Sequence, residues 1–234
     1  MRRQIKKQIR QALELLERAE GLLERESRKA GEGSERLGQL LEDTQSCAIE
    51  AGNSIEAEAG EGTATVGILE QYCEALYSVW RERDGGKRQG FVRAAAALGK
   101  KARESLEQEF EETKEIVFVP ARWDMWPDMA PLWERFQKEE GCRCFLVPVP
   151  FWETGADGAE ESRYEGELFE GLPVVWYGDY PWEDRGADVI LVQRPELGTG
   201  RKTRPDSRFS PERLKAFGEL LAEVTPETAE QWEK

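Results

Sequence analysis

Two polar clusters stand directly behind short apolar runs. Arg122-Trp123-Asp124 follows Ile116-Val117-Phe118-Val119-Pro120, and Gln193, Arg194 and Glu196 follow Asp188-Val189-Ile190-Leu191-Val192. An arginine presents a planar fork of donors that grips a phosphate or carboxylate through two parallel bonds, so Arg122 and Arg194 facing one another would hold an anion. The same two cations can instead close ion pairs with Asp124, Glu196 or Asp179, and the residue types leave both readings open. General acid and base work near neutral pH is the natural task of histidine, and the chain has none. It would fall to Asp124, Glu165 or Asp179 with a pKa raised by burial, and Asp124 is the candidate catalytic residue.

Other constellations are weaker. Trp123, Trp126, Trp133, Phe151, Trp152, Trp176, Tyr177 and Trp182 make the second half rich in aromatic rings. Such planes either stack on a base or a sugar face at a sheet rim or simply close hydrophobic gaps, and Trp152 and Trp182, in polar surroundings, are the least expected in a core. Glu196-Leu197-Gly198-Thr199-Gly200-Arg201-Lys202-Thr203-Arg204 has the glycine and basic content of a phosphate cradle, but it lacks the Gly-x-x-x-x-Gly-Lys-Ser/Thr spacing. A basic loop is the competing reading. Cys47, Cys73, Cys142 and Cys144 have no Cys-x-x-Cys spacing and no histidine to complete a mixed site, so they read as reduced thiols, with no metal and no cofactor. No Gly-x-Ser-x-Gly elbow or Gly-x-Gly-x-x-Gly turn supports a hydrolase or a dinucleotide enzyme.

The elements that must position these residues follow from periodicity. Ile5, Ile9, Leu13, Leu16 and Leu23 line one face of a helix over 4–28, and Ser34 caps a second whose apolar face runs from Leu37 to Ile55. Thr63 caps a third, from Val66 to Trp80, and a fourth spans Gln89 to about Thr113. Short loops between four helices predict an antiparallel bundle over 1–113. Glu107, Glu109, Glu111 and Glu112 crowd the end of the fourth helix, where acid opposes the macrodipole, so that end is expected to fray or to be held by the next element. From residue 114 to 234 the period changes. Ile116–Val119, Cys144–Val147, Pro173–Tyr177 and Asp188–Val192 read as four buried strands, with a helix over Met129–Glu139 between the first two. Right-handed crossovers give a four-stranded parallel Rossmann-like sheet of order 3-2-1-4, an α/β fold class with its switch point between the first and fourth strands. The stretch Val149–Leu172 is expected as a surface loop, and a last helix runs from Pro211 to about Glu223 behind Ser210.

A formal charge of -14 repels phosphate backbones and anionic lipid, which argues against a nucleic-acid partner. No run approaches the roughly 20 apolar residues of a membrane span, and the start leads into an amphipathic helix, so the expected location is cytoplasmic, with a peripheral place at the inner membrane face as a variant.

Four of these segments carry a resemblance. Val117-Phe118-Val119-Pro120-Ala121-Arg122-Trp123-Asp124-Met125-Trp126, then Val147-Pro148-Val149-Pro150-Phe151, then Tyr164-Glu165-Gly166, then Asp188-Val189-Ile190-Leu191-Val192, resembles the CDP-glycerol glycerophosphotransferase family of teichoic acid biosynthesis. The stretch Leu41-Glu42-Asp43 to Ala48, with Glu61-Gly62-Thr63 and Tyr72-Cys73-Glu74, is similar to the family's helical N-terminal region. The resemblance covers roughly residues 35–200. It implies that the α/β unit is one lobe of a GT-B architecture and that the ligand is CDP-glycerol or a teichoic-acid-like acceptor. Where relatives have His-Asn-Pro-Tyr-Asp behind the fourth strand, this chain has Gln193-Arg194-Pro195-Glu196, and the family's histidine-bearing second lobe has no counterpart after Lys215. The expectation is a truncated or divergent glycerophosphotransferase-like protein that binds a phosphate or glycosyl ligand, or a partner, through Arg122, Trp123, Asp124, Gln193, Arg194 and Glu196, without catalysing transfer by itself. One alternative is an active transferase completed by another chain. Another is a non-enzymatic interaction scaffold, whose first helix, with nine Lys/Arg against five acids to residue 30, docks on an acidic protein partner or on the chain's own acidic remainder.

Overall fold

A computed structural model describes residues 1–29, 34–194 and 202–225. The chain divides into two compact units, Met1–Glu112 and Thr113–Lys234. The first holds four helices, α1 (Arg3–Lys29), α2 (Glu35–Ala59), α3 (Ala64–Arg81) and α4 (Gly85–Glu109). Each start after the first is fixed by an oxygen that takes an otherwise orphaned amide: Ser34 Oγ accepts from the Leu37 N–H, Thr63 Oγ1 from Val66 and Asp84 Oδ1 from Lys87, at 3.4, 3.3 and 2.8 Å. The Asp84 cap is why α4 begins at Gly85, before the expected Gln89. Ile9, Leu13, Leu16 and Leu23 of α1 enter one core with Leu37, Ile55, Leu69, Tyr72, Leu76 and Leu106.

The acidic end of α4 neither frays nor waits for the following strand. Lys6 Nζ, buried, donates to the Phe110 carbonyl at 2.6 Å, filling an acceptor that the helix end leaves open. Glu107 receives both Lys6 (3.0 Å) and Arg10 (2.5 Å), and Arg10 also reaches Glu112 at 2.6 Å. Glu109 accepts the amides of Ala64 and Thr65 at 2.7 and 2.9 Å, so an acid unfavourable at one helix's C-terminus serves another's N-terminus. The cations at the start of α1 are thereby engaged within the chain.

The second unit is built on a parallel sheet of order β2-β1-β5-β7. Here β1 is Lys114–Val119, β2 Cys142–Leu146, β5 Ala187–Val192 and β7 Gly218–Glu223, and α5 (Trp126–Lys138) connects the first two. Strand alternation sends Val117, Val119, Ile190 and Val192 to one face, against Phe209 and Leu214. Ile116, Phe118 and Leu191 go to the other, against Trp126, Met129 and Trp133 of α5.

Three expectations are corrected. Pro173–Tyr177 is not a strand, so the order is not 3-2-1-4. Val174 makes a single parallel bridge to Leu146, since Pro173 has no N–H to donate and the chain turns at once, with the Asp179 amide on the Trp176 carbonyl at 2.9 Å. The last helix ends as α7 (Pro211–Leu214) and a 3-10 turn. From Gly218 the backbone is extended and pairs with β5, a short apolar stretch being compatible with either period. Within Val149–Leu172 lie β3 (Phe151–Thr154) and β4 (Glu160–Arg163), an antiparallel hairpin joined by β6 (Lys202–Pro205) into a second sheet, with Arg204 bridging to Glu160 at 3.0 Å. Between the hairpin and β5 lies the short α6 (Trp182–Arg185).

At the amino ends of β1 and β5, Asp188 Oδ2 accepts the Glu115 amide at 2.8 Å, and Arg185 Nε donates to Glu115 Oε2 at 2.9 Å while stacking on Phe145 at 4.3 Å. Arg185→Met leaves the buried Glu115 carboxylate without its main cation and should lower unfolding free energy by about 3–5 kcal/mol, and Glu115→Gln in the same chain should recover part of the loss. Urea denaturation of the three variants checks this.

A second prediction concerns pH. Burial and the neighbouring Glu17 raise the Glu20 carboxyl to about 7. A carboxyl with a folded pKa above its unfolded value favours folding while protonated, so this contribution is complete below about pH 4.5 and disappears as pH rises through 7. Thermal unfolding should show bundle stability declining from pH 5 to 7, and Glu20→Gln should flatten that decline.

Candidate functional site

In an open parallel sheet, a ligand rests beyond the carboxyl ends of the strands where the strand order reverses, which here is the gap between β1 and β5. Val119 is paired with Val192 at that edge, so the residues following each strand emerge side by side. On the β1 side the chain continues through Pro120 and Ala121 to Arg122, whose side chain is completely buried, and then into a 3-10 turn, Trp123–Met125, that leads into α5. On the β5 side it continues through Gln193 and Arg194.

Arg122 grips Asp124 through both nitrogens of its fork, Nε on Oδ1 at 3.0 Å and Nη2 on Oδ2. The arginine is inaccessible while the aspartate side chain is half exposed, so the pair presents carboxylate to solvent and hides the cation. Arg194 lies at the surface and binds Glu223 Oε1 at 2.6 Å, with Glu223 supplied by β7. The two arginines therefore carry carboxylate partners and do not form a shared anion clamp. Trp123, 38% exposed, sets its ring edge-on to Phe169 at 4.9 Å, and its amide donates to Glu165 Oε2 at 2.8 Å. Tyr164-Glu165-Gly166 is thus brought against Arg122-Trp123-Asp124. The Tyr164 ring lies over Gly166, where a Cβ would come 2.1 Å from its hydroxyl oxygen and the ring would have to move.

Gln193 is the unusual member. It is buried, its Nε2 donates to the Met125 carbonyl at 2.5 Å, and its Oε1 has no hydrogen-bond partner. A buried amide oxygen without a donor costs about 1–3 kcal/mol, and Gln193 Oε1 is an acceptor that the described residues leave unfilled. Asp128, in the first turn of α5, is a neighbour by sequence that the sequence reading passed over, and burial pushes its carboxyl up. Its signal was an acid two residues behind Trp126 at a helix start.

Of the six expected ligand residues, Arg122, Trp123, Asp124, Gln193 and Arg194 stand at this edge, and Glu196 lies outside the described residues, as does most of the glycine-rich stretch after it. Asp179 is exposed and apart from these pairs in the hydrogen-bond pattern. The aromatic residues divide: Trp126 and Trp133 close the α5 face, Trp182 packs against Phe209 and donates to the Tyr177 carbonyl at 3.0 Å, and Trp152 lies under Arg204. Among the described residues no group of three or more His, Cys, Asp or Glu is placed to hold a metal ion, and no helix is long and apolar enough to cross a membrane.

Comparison of the chain with protein-family models, with curated proteins and with solved structures finds no significant match.

Because the buried member of the Arg122–Asp124 pair is the arginine, Asp124→Ala should destabilise by about 1–3 kcal/mol through the cation it strands. In a double-mutant cycle with Arg122→Met, measured by chemical denaturation, the combined loss should be smaller than the sum of the single losses.

Proposed function

We propose that this chain is a divergent glycerophosphotransferase-like protein that binds the hydroxyl-bearing part of a glycosyl or glycerol phosphate ligand at the edge between β1 and β5, and that it does not carry out transfer by itself. The observation that carries this reading is the unpartnered Gln193 Oε1, buried at the switch point. A neutral acceptor of that kind matches the donor of a sugar or glycerol hydroxyl, and Trp123, 38% exposed in the turn whose Met125 carbonyl holds Gln193, offers an apolar face for the carbon skeleton. The family resemblance of residues 117–126, 147–151, 164–166 and 188–192 points to the same ligand class; the Trp123 amide donates to Glu165 Oε2 at 2.8 Å and the Val149 amide to the Pro120 carbonyl at 3.0 Å.

The lack of transfer rests on proton chemistry. Phosphoryl transfer to a hydroxyl needs a group that takes up the hydroxyl's proton, and the chain has no histidine to serve. Asp124, the candidate for that role, is committed to Arg122. The arginines are engaged by Asp124 and Glu223 and offer no phosphate grip, so selectivity lies with the polyol end of the ligand.

Titration calorimetry with glycerol 3-phosphate and with CDP-glycerol tests the proposal. Binding should be measurable for both and should weaken about fivefold in Gln193→Met, a change worth about 1 kcal/mol of one hydrogen bond. CDP-glycerol incubated with the protein and an acceptor should remain intact. Release of CMP that Asp124→Asn abolishes would overturn the non-catalytic reading, and equal affinity of wild type and Gln193→Met would overturn the assignment of the site.

A further inference from the structure

The helical unit carries two exposed surfaces whose features are unexplained until they are placed against one another. One is a groove of about 530 Å³ between α2 and α3, floored by Ala48, Gly52, Val66 and Leu69. Large apolar side chains that a lone bundle would be expected to cover stand on it and beyond it: Ile49, at 49% exposure, lines the groove, and Tyr77 and Trp80, at 56% and 51%, follow further along α3. The Trp80 indole lies over Gly38 of α2, where a Cβ would come within 3.1 Å of it, so the ring is seated across the two helices while half of it faces outward. The rim is acidic. Glu70 and Glu74 on α3 share a face with Tyr77 at helical spacing, and Glu42 and Glu56 on α2 lie seven residues to either side of Ile49. None of these four carboxylates makes an ion pair or a side-chain hydrogen bond among the described residues.

The second surface is the outer stripe of α1. Leu15 and Leu22 are 56% and 47% exposed, and Arg18 and Arg25 alternate with them at intervals of three and four. Both arginines are exposed and lack a carboxylate partner among the described residues, in contrast to Arg2, Lys6 and Arg10 at the beginning of the same helix. The stripe from Leu15 to Arg25 is about 15 Å long at 1.5 Å per residue, as is the line from Glu70 to Trp80.

The charge imbalance between helices decides what kind of partner each surface suits. Together α2 and α3 bear eight acidic and two basic side chains, whereas α1 and α4 bear eight acidic and fourteen basic. The groove calls for a helix with exposed leucines between arginines, and this chain displays one. We propose that the α2–α3 groove receives the outer stripe of α1 from a second copy of this chain, Leu15 and Leu22 entering between Ile49, Tyr77 and Trp80 while Arg18 and Arg25 meet the acidic rim. The contact joins unlike surfaces, so it closes a dimer when both copies engage reciprocally and otherwise extends head to tail. It is independent of the ligand reading of the α/β unit.

Sedimentation equilibrium on the full chain tests it. Wild type should associate at low ionic strength and weaken as salt is raised, because charge pairing aligns the apolar contact. Arg18→Glu with Arg25→Glu should weaken association by at least about tenfold, and so should Glu70→Arg with Glu74→Arg, each with an unchanged circular dichroism melt. Mixed in equal amounts, the two charge-reversed proteins should associate with each other, since each then presents what the other's groove or stripe lacks. A wild type that stays monomeric to about 1 mM would overturn the proposal and leave a foreign basic helix as the groove's occupant. So would charge-reversed proteins that associate as the wild type does, or a mixture that stays monomeric.

Discussion

The side-by-side pairing of β1 with β5 is the constraint on which the α/β unit depends, and a buried polar contact at its base sets it. Asp188 Oδ2 holds the Glu115 amide and Arg185 clamps the Glu115 carboxylate, so Ile116 stands opposite Val189 and Val119 opposite Val192. A slip of one residue would turn Ile190 and Val192 from one apolar layer to the other and leave buried charge unpaired. Such a network adds little net stability beside an apolar equivalent. What it contributes is one register, and that register places Arg122 and Gln193 together at the opposite edge.

The chemistry at that edge is governed by compensation. Each arginine emerging there is met by a carboxylate, Arg122 by Asp124 and Arg194 by Glu223, so neither cation stands alone at the edge. Beside these matched pairs the buried Gln193 amide oxygen is left without a donor. In the bundle the same compensation works differently: acids at the end of α4 are absorbed by cations of α1 and by the N-terminus of α3. The charges left unmatched are segregated onto separate outer faces.

Much of this could be read from residue order. The starts of α2 and α3 follow from Ser34 and Thr63, and the two strands that frame the site follow from unbroken apolar runs, because capping and burial are local requirements that a sequence displays directly. Asp84 caps α4 at Gly85, ahead of the expected start at Gln89. What escaped were features set by partners distant in the chain. Pro173–Tyr177 has strand composition but only a proline-limited bridge to Leu146, and Gly218–Glu223 becomes a strand because β5 offers an edge, although Leu214, Phe217 and Leu221 suit a helix equally well. The site shows the same division. Sequence placed Arg122, Asp124 and Gln193 at the strand ends, but the burial of Arg122, the supply of Glu223 by a strand expected as a helix, and the orphaned acceptor on Gln193 are tertiary facts.

The most direct test of the central claim is a crystal structure of the protein soaked with glycerol 3-phosphate. A ligand hydroxyl within about 2.7–3.0 Å of Gln193 Oε1, with Trp123 against the carbon chain, is the result this account predicts. Ligand held elsewhere, with the Gln193 oxygen bonded only to ordered water, would contradict it.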